Sequence, residues 1–446
     1  MRRTRWVVAV LVALAAPEVA PRAQAETVEE RLERLEERIE EQDRIITEQQ
    51  RRLDKRATET SAAPAAPAAS PDTMRVYWKE GVRFETADKA FQAHVGGRVQ
   101  TDFAAFSESD GFKDAFGDVE DGAEIRRARL MVEGLAYERI EFRLEYDFAT
   151  GDAEAKDVYV GLVDMPYVGG IRVGHVKEPF SFDELTSSRF LTFLERALPN
   201  ALAPSRNLGV LLHNAVLDER LTWAAGAFRN SDAFGEDQDD GGWAATGRLT
   251  GLPWYDDGGA LVHLGVAASY RDPQGNMQRF RARPEAHLAP DVVDTGDVLT
   301  DELTRLGGEL AAVVGPAWLQ SEYIAALAQG SGPDRNVSGY YVQAGFFLTG
   351  ERRPYKKESA VFDRVRPRRS VLVGGNPGPG AWEVAARWSS LDLNSGPIRG
   401  GQANDLTAGV NWYLNPLTRV SANYVYSERL DVGSINAVMM RVWFDF

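Results

Sequence analysis

The last eleven residues, Asn436 to Phe446, alternate without a break. Val438, Met440, Val442, Phe444 and Phe446 fall on one face of an extended chain, and Ala437, Met439, Arg441, Trp443 and Asp445 on the other. About ten residues is what a tilted strand needs to cross a bilayer. In a soluble sandwich the apolar face would turn inward. In a lipid-embedded barrel it turns outward, and a final strand ending on an aromatic residue suits that class. No stretch approaches the ~18 apolar residues of a spanning helix, and mean hydropathy is negative. A membrane form of this chain must therefore be a closed barrel, which satisfies every backbone group in lipid.

The same period of two recurs upstream. Ile140, Phe142, Leu144, Tyr146 and Phe148 alternate with the charged Glu141, Arg143, Glu145 and Asp147. Val262 to Tyr270, Trp382 to Ser389 and Thr407 to Leu414 repeat the pattern, with Trp382, Trp388, Trp412 and Tyr426 placed as interfacial aromatics. Short turns such as Tyr413 to Leu417 alternate with long polar ones such as Asn230 to Gly242. At roughly 20–25 residues per strand and connection, residues 74–446 hold about sixteen antiparallel strands. The expected fold is an all-β membrane barrel with a water-filled lumen rather than a packed core.

The chain before residue 74 has other chemistry. Arg2, Arg3 and Arg5, the apolar run Trp6 to Ala16 and Ala23-Gln24-Ala25 read as a signal peptide over residues 1–25, which exports the chain from a Gram-negative cell. In residues 26–56, Val28, Leu32, Leu35, Ile39, Gln42, Ile46, Gln49 and Leu53 step by four and three: a coiled-coil seam that needs partners and, once exported, lies in the periplasm. Its residues leave dimer against trimer open. Residues 57–73 are Ala/Pro-rich and read as an extended or disordered linker. Cysteine is absent, which excludes a disulfide framework, a thiolate metal site and a lipoprotein anchor.

The net charge of −15 sits in three segments, Glu108 to Glu124, Asp232 to Asp240 and Asp291 to Glu302, all read as surface loops facing water and lipopolysaccharide. Selectivity would instead come from the wall. Arg279, Arg281 and Arg283 occupy alternate positions and must share a face, so they need either solvent or a bound anion. Guanidinium forks match phosphate and carboxylate oxygens. Ile125-Arg126-Arg127-Ala128-Arg129 adds three more. Strict alternation turns Arg127 and Arg129 to the lumen and Arg126 to lipid, so a β-bulge is needed to bring Arg126 in.

Seven strings then occur in order: Gly96-Gly97-Arg98, Arg126-Arg127-Ala128, Gly174 to Phe180, Thr186-Ser187-Ser188-Arg189 with Phe193 to Arg196, Leu348 to Glu351, Gly380 to Glu383 and Gly409 to Tyr413. With them the chain, from about Val76 to Phe446, resembles the phosphate-selective porin O and P family. The resemblance implies a trimer of sixteen-stranded barrels whose third loop narrows each pore, with no cofactor, metal or catalysis. It implies an anion path through Arg98, Arg126, Arg127, Arg196, Arg279, Arg281 and Arg283, a constriction aspartate at Asp157, and an inserted loop bearing Ser187, Ser188 and Arg189. Where phosphate-binding members have lysine two residues before Thr-Ser-Ser, this chain has Glu184. A carboxylate there is expected to oppose an anion by a few kcal/mol at ~4–6 Å.

The leading function is passive diffusion of small anions, plausibly phosphate or polyphosphate, across the outer membrane. The alternative is a general or differently selective porin. A hydrolase is disfavoured because none of His94, His175, His213, His263 and His287 stands in a recognisable catalytic or metal-ligand spacing. A structural tether remains a third reading. Expected partners are inorganic anions, outer-membrane lipid and copies of the same chain, not nucleic acid.

Overall fold

The computed structural model describes residues 28–62, 73–236, 241–256, 258–330, 332–371 and 377–446. The signal peptide lies outside them, as do residues 63–72 of the linker. The chain divides into two units, residues 1–69 and 70–446. The first holds one helix, α1 (Val28–Ala62). Helix therefore continues past Arg56 through residues expected to be extended, because nothing in Ala57 to Ala62 breaks it before Pro64. Ile39, Ile46 and Leu53 of the heptad seam are exposed on the single helix.

In the second unit, a hairpin of β1 (Met74–Trp78) and β2 (Val82–Thr86) leads into sixteen antiparallel barrel strands. These are β3 (Phe91–Glu108), β4 (Gly122–Ala136), β5 (Ile140–Asp147), β6 (Glu154–Met165), β7 (Gly169–Lys177) and β8 (Arg206–Val216). Then come β9 (Leu221–Arg229), β10 (Trp243–Tyr255), β11 (Leu261–Arg271), β12 (Glu302–Val314) and β13 (Ala317–Gly330). The last are β14 (Gly332–Phe347), β15 (Ala381–Ser395), β16 (Ile398–Asn415), β17 (Thr418–Arg429) and β18 (Gly433–Asp445). Each pairs with its neighbour, and β18 closes on β3 from Ile435↔Glu108 to Asp445↔Arg98. The sixteen-stranded wall is thereby closed on itself, as lipid demands. At the seam Phe446 exchanges backbone hydrogen bonds with Gly97. Cβ atoms on Gly96 and Gly97 would fall 2.6 Å from the Phe446 carbonyl oxygen and 2.6 Å from that of Arg129, so both positions require glycine.

The faces follow the sequence. Val438, Met440, Val442 and Phe444 are exposed, while Ala437, Met439, Arg441, Trp443 and Asp445 are buried inside. On β16, Leu406 and Val410 point out and Thr407 and Asn411 in. Among the described residues no helix is long and apolar enough to cross a membrane; the strands form the wall.

The lumen departs from expectation, because three connections enter it rather than one. The first, residues 178–205, carries α2 (Phe182–Leu185) and is the constriction loop. The second, residues 272–301, buries Phe280, Ala282, Val292 and Val293 against Leu198, Leu202, Leu303 and Leu391. The third, residues 348–380, leaves the end of the barrel otherwise closed by short turns. It buries Phe362 and Val365 against Phe182, Trp318 and Phe347. Each large apolar side chain so buried contributes about 1.5–3 kcal/mol, which holds these segments inside rather than in bulk water. The lumen is thus polar along the wall but substantially occupied.

Candidate functional site

The constriction loop is fixed by the wall from several sides. A carboxylate of β13, Glu322, accepts hydrogen bonds from the backbone N–H of Phe182 (2.7 Å) and Asp183 (2.9 Å). On β18, the fully buried Arg441 pairs with both oxygens of Asp102 (2.5 and 2.6 Å) and donates to the Leu194 carbonyl (2.6 Å) and Glu195 (2.7 Å). From β4, Arg126 grips Glu195 with two bonds of 2.9 Å. Burial alone would raise the Glu195 carboxyl, but Arg126 and Arg441 hold it well below the usual range. The grip by Arg126 needs the bulge that the sequence poses as a condition. Gln100 pairs with Arg127 and Thr101 with Ile125, so Arg126 is the extra residue. Arg126 and Arg127 both face inward, Ile125 outward, and strict alternation is corrected at this point.

Inside the loop, the buried Glu184 joins two cations that line different cavities. Its carboxylate lies 3.1 Å from Lys177 and 3.2 Å from Arg196, and accepts from Asn200 (3.2 Å). Lys177 lines a cavity of about 790 Å³ toward the short turns, and Arg196 lines one of about 310 Å³ toward the longer loops. One carboxylate therefore links the cations on the two sides. Burial would raise its pKa, yet Arg196 and Lys177 bring it down to about 2. Glu184 is thus buried and shared by two cations, leaving the triad at +1. Arg196 is also structural, donating to the carbonyls of Asp183 (2.9 Å), Glu184 (3.0 Å) and Thr186 (2.9 Å).

The outer cavity gathers Arg281 and Arg283 with Glu195, Arg196 and Asp291. Arg279, Arg281 and Arg283 do share one exposed face, with Phe280 and Ala282 buried on the other. Each has an acidic partner: Asp294 holds Arg279 with two bonds, and Asp291 lies 3.3 Å from Arg281 and 3.5 Å from Arg283. Asp291 therefore borders the outer cavity, and Asp294 is engaged in an ion pair with Arg279. Hydrogen bonding to Asp294 raises the already high Arg279 pKa further. The segment is tied down by Glu285, buried, which accepts from Arg387 Nε (2.9 Å), Ser389 (2.6 Å) and Thr407 (2.5 Å).

In the inner cavity, Asp157 accepts two bonds from Arg206 (2.9 and 3.1 Å), with Arg143 at 3.7 Å. Arg172 pairs with Glu141 (2.8 Å), and Ser187 borders the same space. Arg98 donates to Ser188 (2.8 Å) and pairs with Glu145 (2.5 Å). Arg127 donates to Gln100 (2.8 Å), and no acid lies within ion-pair distance among the described residues. Arg189 turns away from the two cavities into the wall behind the loop. Sequence reasoning assigned no role to Lys177, Arg206, Glu195 or Arg387. Lys177 and Glu195 stand inside strings that already stood out, Arg206 at the start of β8, and Arg387 on an inward alternate of β15.

A match to the model of the phosphate-selective porin O and P family covers residues 94–446. Porin O of Pseudomonas aeruginosa is 28% identical over 389 residues, 78% of this chain and 85% of that protein. An uncharacterized protein of Caulobacter vibrioides is 29% identical over 382 residues, 82% of this chain and 74% of its own length. Among solved structures, a loop-deletion mutant of OmpT, an outer-membrane protein of Vibrio cholerae, aligns with TM-score 0.51 at 12% identity, covering 80% of this chain and 100% of that one. An anion-selective porin from Comamonas acidovorans aligns with TM-score 0.50 at 15% identity, with the same coverage. At such identities the likeness concerns the fold. Sealed sixteen-stranded wall, lipid-facing apolar surface, charged interior and family match agree: this chain is an outer-membrane porin of the phosphate-selective porin O and P family.

Proposed function

We propose that the barrel carries small inorganic anions, phosphate or polyphosphate among them, by passive diffusion and without a reaction. The observation that carries this reading is the arrangement of cations. Lys177 and Arg196 share a single carboxylate between two cavities, and Arg281 and Arg283 share a single aspartate in the outer one. Guanidinium forks suit oxyanions, and the family's description points the same way. Because nearly every cation has an acid within reach, the path favours transit over tight binding.

A second reading, a weakly or differently selective porin, is favoured by the inner cavity. There Arg143, Arg172, Lys177, Arg248 and Lys356 stand among seven acids, including Glu141, Asp157 and Glu219. Reversal potentials in a potassium chloride gradient separate the two. Anion preference, with phosphate inhibiting the chloride current, supports the first; cation preference overturns it. The exposed heptad seam of α1 supports self-association, with a trimer as the family-consistent state and the helix on the periplasmic side. Residues 1–25 serve as the export signal.

A further inference from the structure

Behind the constriction loop lies a cavity of about 20 Å³, room for one water-sized particle. Four arginines from three separate segments converge on it: Arg189 of the constriction loop, Arg353 and Arg364 of the 348–380 connection, and Arg419 of β17. Arg353 is 2% exposed and Arg419 4%. Three carboxylates offset part of this charge. Asp445 and Glu80 lie 3.2 and 3.6 Å from Arg364, and Glu383 3.7 Å from Arg353. Arg189 and Arg419 have no ion-pair partner among the described residues, so the cluster keeps a net charge of about +1.

The hydrogen bonding of these groups is incomplete. The Nε and Nη2 of both Arg189 and Arg419, the Nε and Nη1 of Arg353, and the indole Nε1 of Trp443 have no hydrogen-bond acceptor among the described residues. Arg419 uses only Nη1, on the Leu191 carbonyl (2.7 Å) and Tyr413 (3.1 Å), and its guanidinium stacks on Trp443 at 3.6 Å from the ring centroid. Buried donors of this kind cost about 1–3 kcal/mol each when unmet, more when charged. One oxygen of Asp445, Oδ1, is likewise unmatched and would face any occupant.

We infer that this cage is a binding site for one monatomic anion of chloride size, held by Arg189, Arg353, Arg419 and Trp443. Net positive charge and a surplus of donors select an anion over water, and the small space suits a single atom. The site is distinct from the two vestibules: Phe190 walls it off from the inner one. Its consequence is mechanical. A halide here ties the constriction loop to the inward turn and to the wall, so the loop's position depends on an ion that does not travel through the channel.

The test uses the whole protein in detergent. Crystals grown in sodium bromide should show an anomalous difference peak between Arg189, Arg353 and Arg419. The melting midpoint should be about 2–4 °C higher in bromide or chloride than in gluconate at equal ionic strength. Arg419→Gln should remove both, and Arg189→Gln, on a loop rather than a wall strand, should weaken both without preventing folding. A water without anomalous signal in the cavity overturns the proposal. So does tetrahedral phosphate density there, a peak undiminished in both variants, or a peak with no halide dependence of melting, which would mean an adventitious ion only.

Discussion

Replacing Glu184 by glutamine tests how the triad sets selectivity. The substitution keeps shape and an acceptor oxygen but removes the charge shared by Lys177 and Arg196. Both cations should hold their places, because Arg196 keeps three carbonyl partners and Lys177 keeps the Glu184 carbonyl. The triad then changes from +1 to +2. For an anion passing at about 6 Å, deleting one unit charge is worth roughly 0.7 kcal/mol at the dielectric of water and ~3 kcal/mol at an effective value near 20. Even the lower figure corresponds to about a threefold change. Planar-bilayer reversal potentials in a potassium chloride gradient should therefore show an anion-to-cation permeability ratio at least about threefold higher. Phosphate should inhibit chloride current at correspondingly lower concentration. Near 0.1 M salt the ~10 Å screening length leaves the effect intact, whereas at 1 M it should fade. An unchanged reversal potential at 0.1 M, in a variant that melts normally, would show that passing ions do not sense Glu184.

Further outcomes are expected. Arg127→Ala should lower anion conductance and weaken phosphate inhibition, since Arg127 has no acid partner to absorb the change; unaltered single-channel records would remove it from the path. Glu285→Ala leaves Arg387 buried and unpaired, at a cost of about 3–5 kcal/mol; thermal melting should drop, and a wild-type midpoint would mean that residues 272–301 are held by their apolar face alone. The Glu184 carboxyl, depressed to about 2 against an ordinary value of 4.5, contributes stability that is complete above about pH 4.5 and lost as pH falls toward 2. The melting difference between wild type and Glu184→Gln should accordingly shrink below pH 4.5, and a difference independent of pH would contradict the pairing. A peptide of residues 26–56 should sediment as an oligomer; a monomer at high micromolar concentration would leave the seam without a role in assembly.

Strand alternation made much of this architecture readable. The period of two from Asn436 to Phe446 matches the lipid and lumen faces, and Ile125 to Arg129 exposed a place where it had to fail. A bulge is invisible in composition, so the sequence could state only the condition, and the geometry met it at Arg126. The pairing of Glu184 was not legible because its partners lie seven residues before it and twelve after, across a loop whose course no periodicity fixes. The inward 348–380 connection was missed for a similar reason. No periodicity fixes its course, although Phe362 and Val365 supply an apolar anchor and its length is out of keeping with the other turns at that end. Pairing of Arg279, Arg281 and Arg283 with Asp291 and Asp294 was hidden too, since both aspartates belong to a run that looks like plain surface charge.

The seam between β3 and β18 joins segments more than three hundred residues apart in sequence, and no other wall contact can substitute for it. Assembly is thus an all-or-nothing event that waits for the whole polypeptide. Cutting short either seam strand should yield not a narrower tube but a sticky, unsealed ribbon, so quality control in the cell has a single late checkpoint at which a faulty copy betrays itself.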